Sequence, residues 1–434
     1  MKNIGVSMSF QHKGSVNRST KFTKLLLPAT LGALISTNAF AGFPTIYGKI
    51  DLTLNQYDLE KNDFAAGATA GTFRHTGALT TATELDNASL ESNGSRFGIR
   101  GDADVAEALK VVYKIEYGVD YDNGTNSNGR ELTQRNITAG LQGDWGTIVG
   151  GKNDTPLKTV QTNSVYQSDI DRFNDLPLAD IGTYLVGENR ADNTIQYSSP
   201  ILFGGLEINL AAIQSEETGV EVPVAGTAVP NPQNDNGFAA GKSLSVVYGK
   251  SKWYFGVAVD DNVAAADAAR AVGEITVGPV KIGAIYQTAE RHEDFDVIGP
   301  FSTFINSAVT TVGAQNGLNP FSEWDGVGGS SYKKQDGYVV NALWKIAGPW
   351  SAKIQYGHST STPASTPTSV PPTVAATQYE DVDIDAIAAG ADYKFNDATR
   401  VFAYYATVKA EGDALVSTEA TTDKTFALGF DFKF

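Results

Sequence analysis

The residue types that do covalent chemistry are scarce in this chain of 434 residues. Cysteine is absent, which removes thiol nucleophiles, disulfides and thiolate-bound metals. Of the four histidines, His12 lies in an N-terminal segment of different character, leaving His75, His292 and His358. A hydrolytic site needs an imidazole within hydrogen-bond reach of a nucleophile it can activate. His358 beside Ser359 is adjacency in sequence, not such a constellation. There is no phosphate-cradling glycine loop, dinucleotide fingerprint or histidine-rich metal spacing. Two acidic stretches, Glu380-Asp-Val-Asp-Ile-Asp385 and Asp122-Asn-Gly-Thr-Asn-Ser-Asn-Gly129, could take a divalent cation, but neither follows a calcium-loop pattern and both read as solvated loops. We therefore expect no catalytic residue, no cofactor and no metal.

What remains are charges that alternate with apolar residues. Lys49 shares a face with Asp51 and Thr53, opposite Ile50, Leu52 and Leu54. Arg96 and Arg100 oppose Phe97 and Ile99, and Arg190 is in phase with Thr194 and Gln196, opposite Ile195 and Tyr197. Charges arranged this way line water, where they orient polar solutes and bias which ion enters. Arg135 departs from the pattern by sharing its face with Ile137, Ala139 and Leu141. Either its strand packs against protein on the outside or a bulge intervenes.

Alternating segments must position these charges. The terminal Lys424-Thr-Phe-Ala-Leu-Gly-Phe-Asp-Phe-Lys-Phe434 puts Phe426, Leu428, Phe430, Phe432 and Phe434 on one face and a mixed set on the other. That period suits a strand crossing a bilayer, which needs roughly 9–11 tilted residues. Segments of similar character fall at 45–55, 95–101, 109–120, 133–142, 145–151, 193–199, 205–213, 243–250, 252–260, 270–277, 279–288, 337–346, 350–358, 385–395, 399–410 and 424–434. The reading is all-β: a sixteen-stranded antiparallel transmembrane barrel.

Its connections alternate short and long. The long ones are 56–94, 121–132, 152–192, 214–242, 261–269, 289–336, 359–384 and 411–423, and the Ser/Thr/Pro-rich tract from Ser359 to Thr377 reads as an exposed loop. Both termini then lie on the short-turn side, which faces the periplasm in a bacterial outer membrane. Trp145, Trp253, Trp344 and Trp350 stand beside short turns, as interfacial girdles require.

Residues 1–41 differ from the rest. Lys2, Lys13, Arg18, Lys21 and Lys24 precede an apolar run from Leu25 to Ile35 and then Asn38-Ala39-Phe40-Ala41, the pattern of a cleaved signal peptide. Met1 or Met8 could be the start. Removing five cations and no acid leaves 28 basic against 49 acidic residues, a formal charge of −21 over 42–434. An exported acidic protein is a poor nucleic-acid binder.

Beyond the barrel pattern itself, the mature chain resembles the general diffusion porins of Gram-negative bacteria. The resemblance is carried by Ile46-Tyr-Gly-Lys-Ile-Asp-Leu52, Ser95-Arg-Phe-Gly-Ile-Arg-Gly101, the stretch from Gly140 to Lys152, Arg190-Ala-Asp-Asn-Thr-Ile-Gln-Tyr-Ser-Ser-Pro200 and the terminal Phe434. It implies a homotrimer in the outer membrane, in contact with lipid and lipopolysaccharide, passing ions and small hydrophilic solutes. It also implies that loop 152–192 folds inward as a constriction. The wall cations would then be Lys49, Arg96, Arg135 and Arg190, with Arg100 beside them; the loop acids would be Asp169, Asp171, Asp175 and Asp180. Asp154 and Glu188, at the loop's ends, read as structural. Phe434 resembles the signal read by the barrel-insertion machinery. The alternatives are a substrate-specific maltoporin-like channel, which would have eighteen strands and an inward aromatic ladder, or a barrel adhesin or enzyme.

Overall fold

The computed structural model describes residues 43–59, 85–122, 132–214, 238–264, 266–292, 332–363, 381–411 and 421–434. The expected signal peptide, His75 and most of the long outer loops lie outside them. Strand β1 (Thr45–Leu59) pairs through its first half with Arg96–Ala106 and through its second half with Leu85–Ser92. These two segments are one stave, β2, interrupted at Asn93-Gly94-Ser95. The interruption is mended by a side chain: Ser95 Oγ donates to Asp51 O (3.0 Å) and accepts from Asp51 N (2.9 Å).

The chain continues through β3 (Leu109–Val119), β4 (Leu132–Gly143), β5 (Gly146–Asp154), β6 (Arg190–Ser198), β7 (Leu206–Ile213) and β8 (Gly241–Lys250). Then follow β9 (Trp253–Val263), β10 (Ala266–Val277), β11 (Val280–Arg291), β12 (Tyr332–Lys345), β13 (Trp350–Pro363), β14 (Val382–Lys394), β15 (Thr399–Glu411) and β16 (Thr421–Lys433). Every strand pairs antiparallel with its sequence neighbours, and β16 returns to β1 with Asp51 opposite Asp431 and Leu54 opposite Leu428. Sixteen staves thus close with no edge left in lipid.

Burial is inverted relative to a water-soluble sheet. On β9, Tyr254, Ala258 and Asp260 are 2%, 3% and 5% exposed, while Phe255, Val257 and Val259 between them are 50%, 57% and 46% exposed. The exposed apolar face is the one that meets lipid. Trp145, Trp344 and Trp350 stand exposed beside the short turns, and Trp253 stacks on Tyr248 there.

Several strands run further than their alternation suggests, because above the membrane an outward position need not be apolar. β13 continues through Ser359-Thr-Ser-Thr to Pro363, and β2 spans far more than 95–101. The expected long loop at 261–269 is instead a tight connection, with β9 reaching Val263 and β10 starting at Ala266.

Candidate functional site

Between β5 and β6 the chain turns into the barrel. Residues 155–189 begin with one helical turn, α1 (Pro156–Thr159), whose Thr155 cap accepts from Lys158 N. A short pairing of Thr162–Asn163 with Ser168–Asp169 and a 3-10 turn at Ile181–Thr183 follow. Leu157, Ile170, Phe173, Leu176, Ile181 and Leu185 are fully buried against the inner faces of β8 to β16, where small residues such as Ala258, Ala268, Ala386, Ala406 and Ala427 make room. Each such side chain contributes on the order of 1.5–3 kcal/mol of docking.

Polar anchors fix the loop's path. Arg172 of the loop reaches into the wall, with Nη2 2.6 Å from Glu274 and Nε 2.9 Å from Asn341. Lys353 donates to Arg172 O (3.0 Å), and Gln355 accepts from Arg172 N (3.0 Å). At the loop's far end Arg270 contacts Glu188 (2.6 Å), Gln161 and Val186 O (3.0 Å). Loop backbone that would be orphaned in a dry lumen is thus satisfied by wall side chains.

The loop reaches the opposite wall at Asp175. Its Oδ2 lies 3.6 Å from Arg96 and 3.9 Å from Lys49. Gly94, in the interruption of β2, has φ +59°, and a Cβ there would stand 2.4 Å from Asp175 Oδ2. The break in β2 is what lets the carboxylate approach. Although burial opposes ionisation, Lys49, Arg135, Arg96 and Lys158 outweigh it and hold Asp175 below the usual carboxylate range.

The other three loop acids do different work. Asp169 is exposed on the short hairpin. Asp171 is buried and accepts from Phe173 N, Asn174 and Gln355. Asp180 caps the 3-10 turn, accepting from Gly182 N and, at 2.6 Å, from Asp175 N, so it positions Asp175. Burial raises both: Asp171 also feels Asp180, Glu188 and Asp169, and Asp180 is pushed up to about 7 with Asp175 and Glu188 adding to the effect.

Lys49, Arg96, Arg135 and Arg190 each have a carboxylate. Lys49 is 2.7 Å from Asp51, Arg135 3.0 Å and Lys114 3.3 Å from Glu116, and Arg190 2.9 Å and Lys158 3.4 Å from Asp154. Arg100 stands apart, over the Tyr47 ring at 5.1 Å and paired in register with Thr45, near the short-turn end. Arg135 reaches the lumen through a bulge: the β3–β4 register shifts between Ile115 and Tyr117, so Arg135 and Asn136 together face Glu116.

A profile of the Gram-negative porin family matches residues 29–413. The chain belongs to the Gram-negative porin family. A stretch of 166 residues, 37% of the chain, is 30% identical to an outer membrane porin protein of Bordetella pertussis and spans 40% of that relative's length. Among solved structures, the fold is similar to an anion-selective porin from Comamonas acidovorans (18% identity, TM-score 0.54, covering 90% of this chain and 99% of that one). It is also similar to Salmonella typhi OmpF (15%, TM-score 0.53, 90% and 97%) and to a loop-deletion form of Vibrio cholerae OmpT (15%, TM-score 0.52, 91% and 100%). At such identities the likeness shows the fold alone. The porin is an integral barrel of the bacterial outer membrane.

In this porin, the anchors Arg172, Arg270 and Glu274 and the wall acid Glu116 did not stand out in the sequence. The available signal was the inward faces of β14 and β15, where Val382, Ile384, Ala386 and Ala388 and then Phe402, Tyr404, Ala406 and Val408 fall in phase as buried apolar runs. A lumen wall of that kind must be covered by protein.

Proposed function

We propose that this porin is a water-filled channel for passive diffusion of ions and small hydrophilic solutes, working as a homotrimer and without catalysis. The observation that carries this reading is the docked loop: it is fastened inside the barrel and brings Asp175 to a wall of charged side chains that includes Lys49 and Arg96. Fixed charges of both signs on a wetted neck lower the desolvation cost of passage while restricting size. The long outer loops and outer rim would meet lipopolysaccharide, and Phe434 would be read by the insertion machinery.

Because the wall cations are paired, the charge of the neck is close to balanced, and the −21 of residues 42–434 tips the field toward cations. A mild cation preference that weakens as salt screens it follows. Planar-bilayer recordings test the reading: steps in groups of three, scaling with salt and indifferent to sugars, support it. Saturable block by one sugar points to a specific channel instead, and absence of conductance removes the proposal.

The cation preference should depend on pH. Asp180, raised to about 7, is neutral below that pH and gains a negative charge above it. Its raised value also means that the loop is favoured while Asp180 is protonated, an advantage lost as pH rises through about 7. Reversal potentials should move toward cations between about pH 6 and pH 8, and Asp180→Asn should flatten the shift. A drift toward chloride would contradict this assignment.

A further inference from the structure

The β9–β10 connection, on the long-loop end of the barrel and away from the lumen, gathers a side chain from β9, one from β10 and one from just beyond β11. A register shift between Asp260 and Val263 sets Asp261 and Asn262 against Asp267. The connection is held tightly, with Asn262 and Ala264 at φ +51° and +53° and Asn262 N donating to Asp267 Oδ1 (2.8 Å). Asp261 shares the outer face of β9 with Phe255, Val257 and Val259, and Asp267 lies on the corresponding face of β10, since Ala268 and Arg270 point inward.

His292, directly after β11, places Nδ1 2.7 Å and 2.9 Å from the two oxygens of Asp267 and 4.0 Å from Asp261 Oδ1. One donor atom from each of the three lies within 4.8 Å of the others. The other oxygen of Asp261 is held by Lys242 at 2.7 Å, which leaves Oδ1 as the one directed toward the imidazole.

We propose that Asp261, Asp267 and His292 form a binding site for a borderline divalent transition cation of the zinc class. Two carboxylates facing each other across a bulge repel unless a cation lies between them. One imidazole with two carboxylate oxygens is a donor set for Zn2+, Ni2+ or Cu2+ in preference to Mg2+ or Ca2+, which take oxygen alone. With metal–ligand bonds of about 2.0–2.2 Å, donors in such a site stand roughly 3.3 Å apart. To reach that spacing the 2.7–2.9 Å His292–Asp267 contact must open and the 4.0 Å separation from Asp261 must close, both by rotation of partly exposed side chains, and the exposure of Asp261 leaves coordination positions to water. Lys242 opposes binding by competing for Asp261. The site is unreadable as a sequence motif because its ligands come from three separate places in the chain.

The test uses the full porin in detergent with Zn2+ alone as the probe, in a calorimetric titration, with folding checked by heat-modifiable gel mobility. The expected result is one saturable Zn2+ per chain, weakened by roughly tenfold or more in His292→Ala and in Asp267→Asn. His358→Ala should leave it unchanged, and Lys242→Ala should tighten it. Asp261→Asn gives a second reading if either variant misfolds, and Co2+ in place of Zn2+ should show visible absorption bands that His292→Ala removes. Absence of saturable binding, unchanged affinity in both ligand variants, or loss on His358→Ala instead would overturn the proposal.

Discussion

Glu274→Ala should release the inner loop from the barrel wall. The variant leaves Arg172, nearly inaccessible to water, without its 2.6 Å partner, and Lys281, 3.2 Å from the same carboxylate, loses it too. Breaking a buried ion pair from one side costs about 3–5 kcal/mol. The barrel ladder does not pass through this pair, so the cost falls on docking: the docked-to-undocked ratio drops by roughly two to nearly four orders of magnitude. Single-channel records should then show higher-conductance sublevels and added noise at normal levels of folded protein. Conductance and noise matching the parent would mean that the apolar residues from Leu157 to Leu185 hold the loop unaided.

Deleting Phe434 should reduce folded porin in the outer membrane about tenfold, on the reasoning that an unpaired backbone group in lipid costs several kcal/mol. Gly48 N donates to Phe434 O (2.9 Å), and Phe434 N donates to Gly48 O (3.1 Å). The Phe434 ring lies over Gly48, where a Cβ would stand 2.3 Å from it and 2.8 Å from Arg96 O. The residue therefore helps seal β16 to β1 as well as ending the chain. It lies on the outer, exposed side, so channels that do insert should conduct normally. Normal insertion with altered conductance would overturn this role. Gly48→Ala should lower yield by the same route, since the Arg96 carbonyl cannot move aside.

The barrel was legible because lipid forces a simple rule on each crossing: apolar outside, mixed inside, period two. That rule placed every stave, and it placed Lys49, Arg96 and Arg190 on the lumen side. It fails beyond the membrane, where Ser359 to Pro363 extends β13 without an apolar face and the 261–269 connection shrinks to a tight turn. It also fails at Arg135, because one extra residue at a bulge reverses parity and no local composition marks the bulge.

The loop acids were less legible for a different reason. Asp171, Asp175 and Asp180 lie within ten positions of one another and are chemically identical. Only three-dimensional placement separates the one that meets the wall from those that shape the loop. Asp175 is reached by Lys49 and Arg96 because Gly94 clears a path from another strand, and Asp180 is turned onto backbone amides.

In the channel proposed above, the passage runs beside the loop tip carrying Asp175. Because the chain has no cysteine, Asn174→Cys introduces a single thiol at an exposed position next to Asp175. With the variant open in a planar bilayer, a bulky thiol-reactive reagent in the bath should cut the current in three equal steps, reversed by reductant, while the parent is unaffected. Complete modification of the thiol with no change in current would mean that the passage does not run beside Asp175.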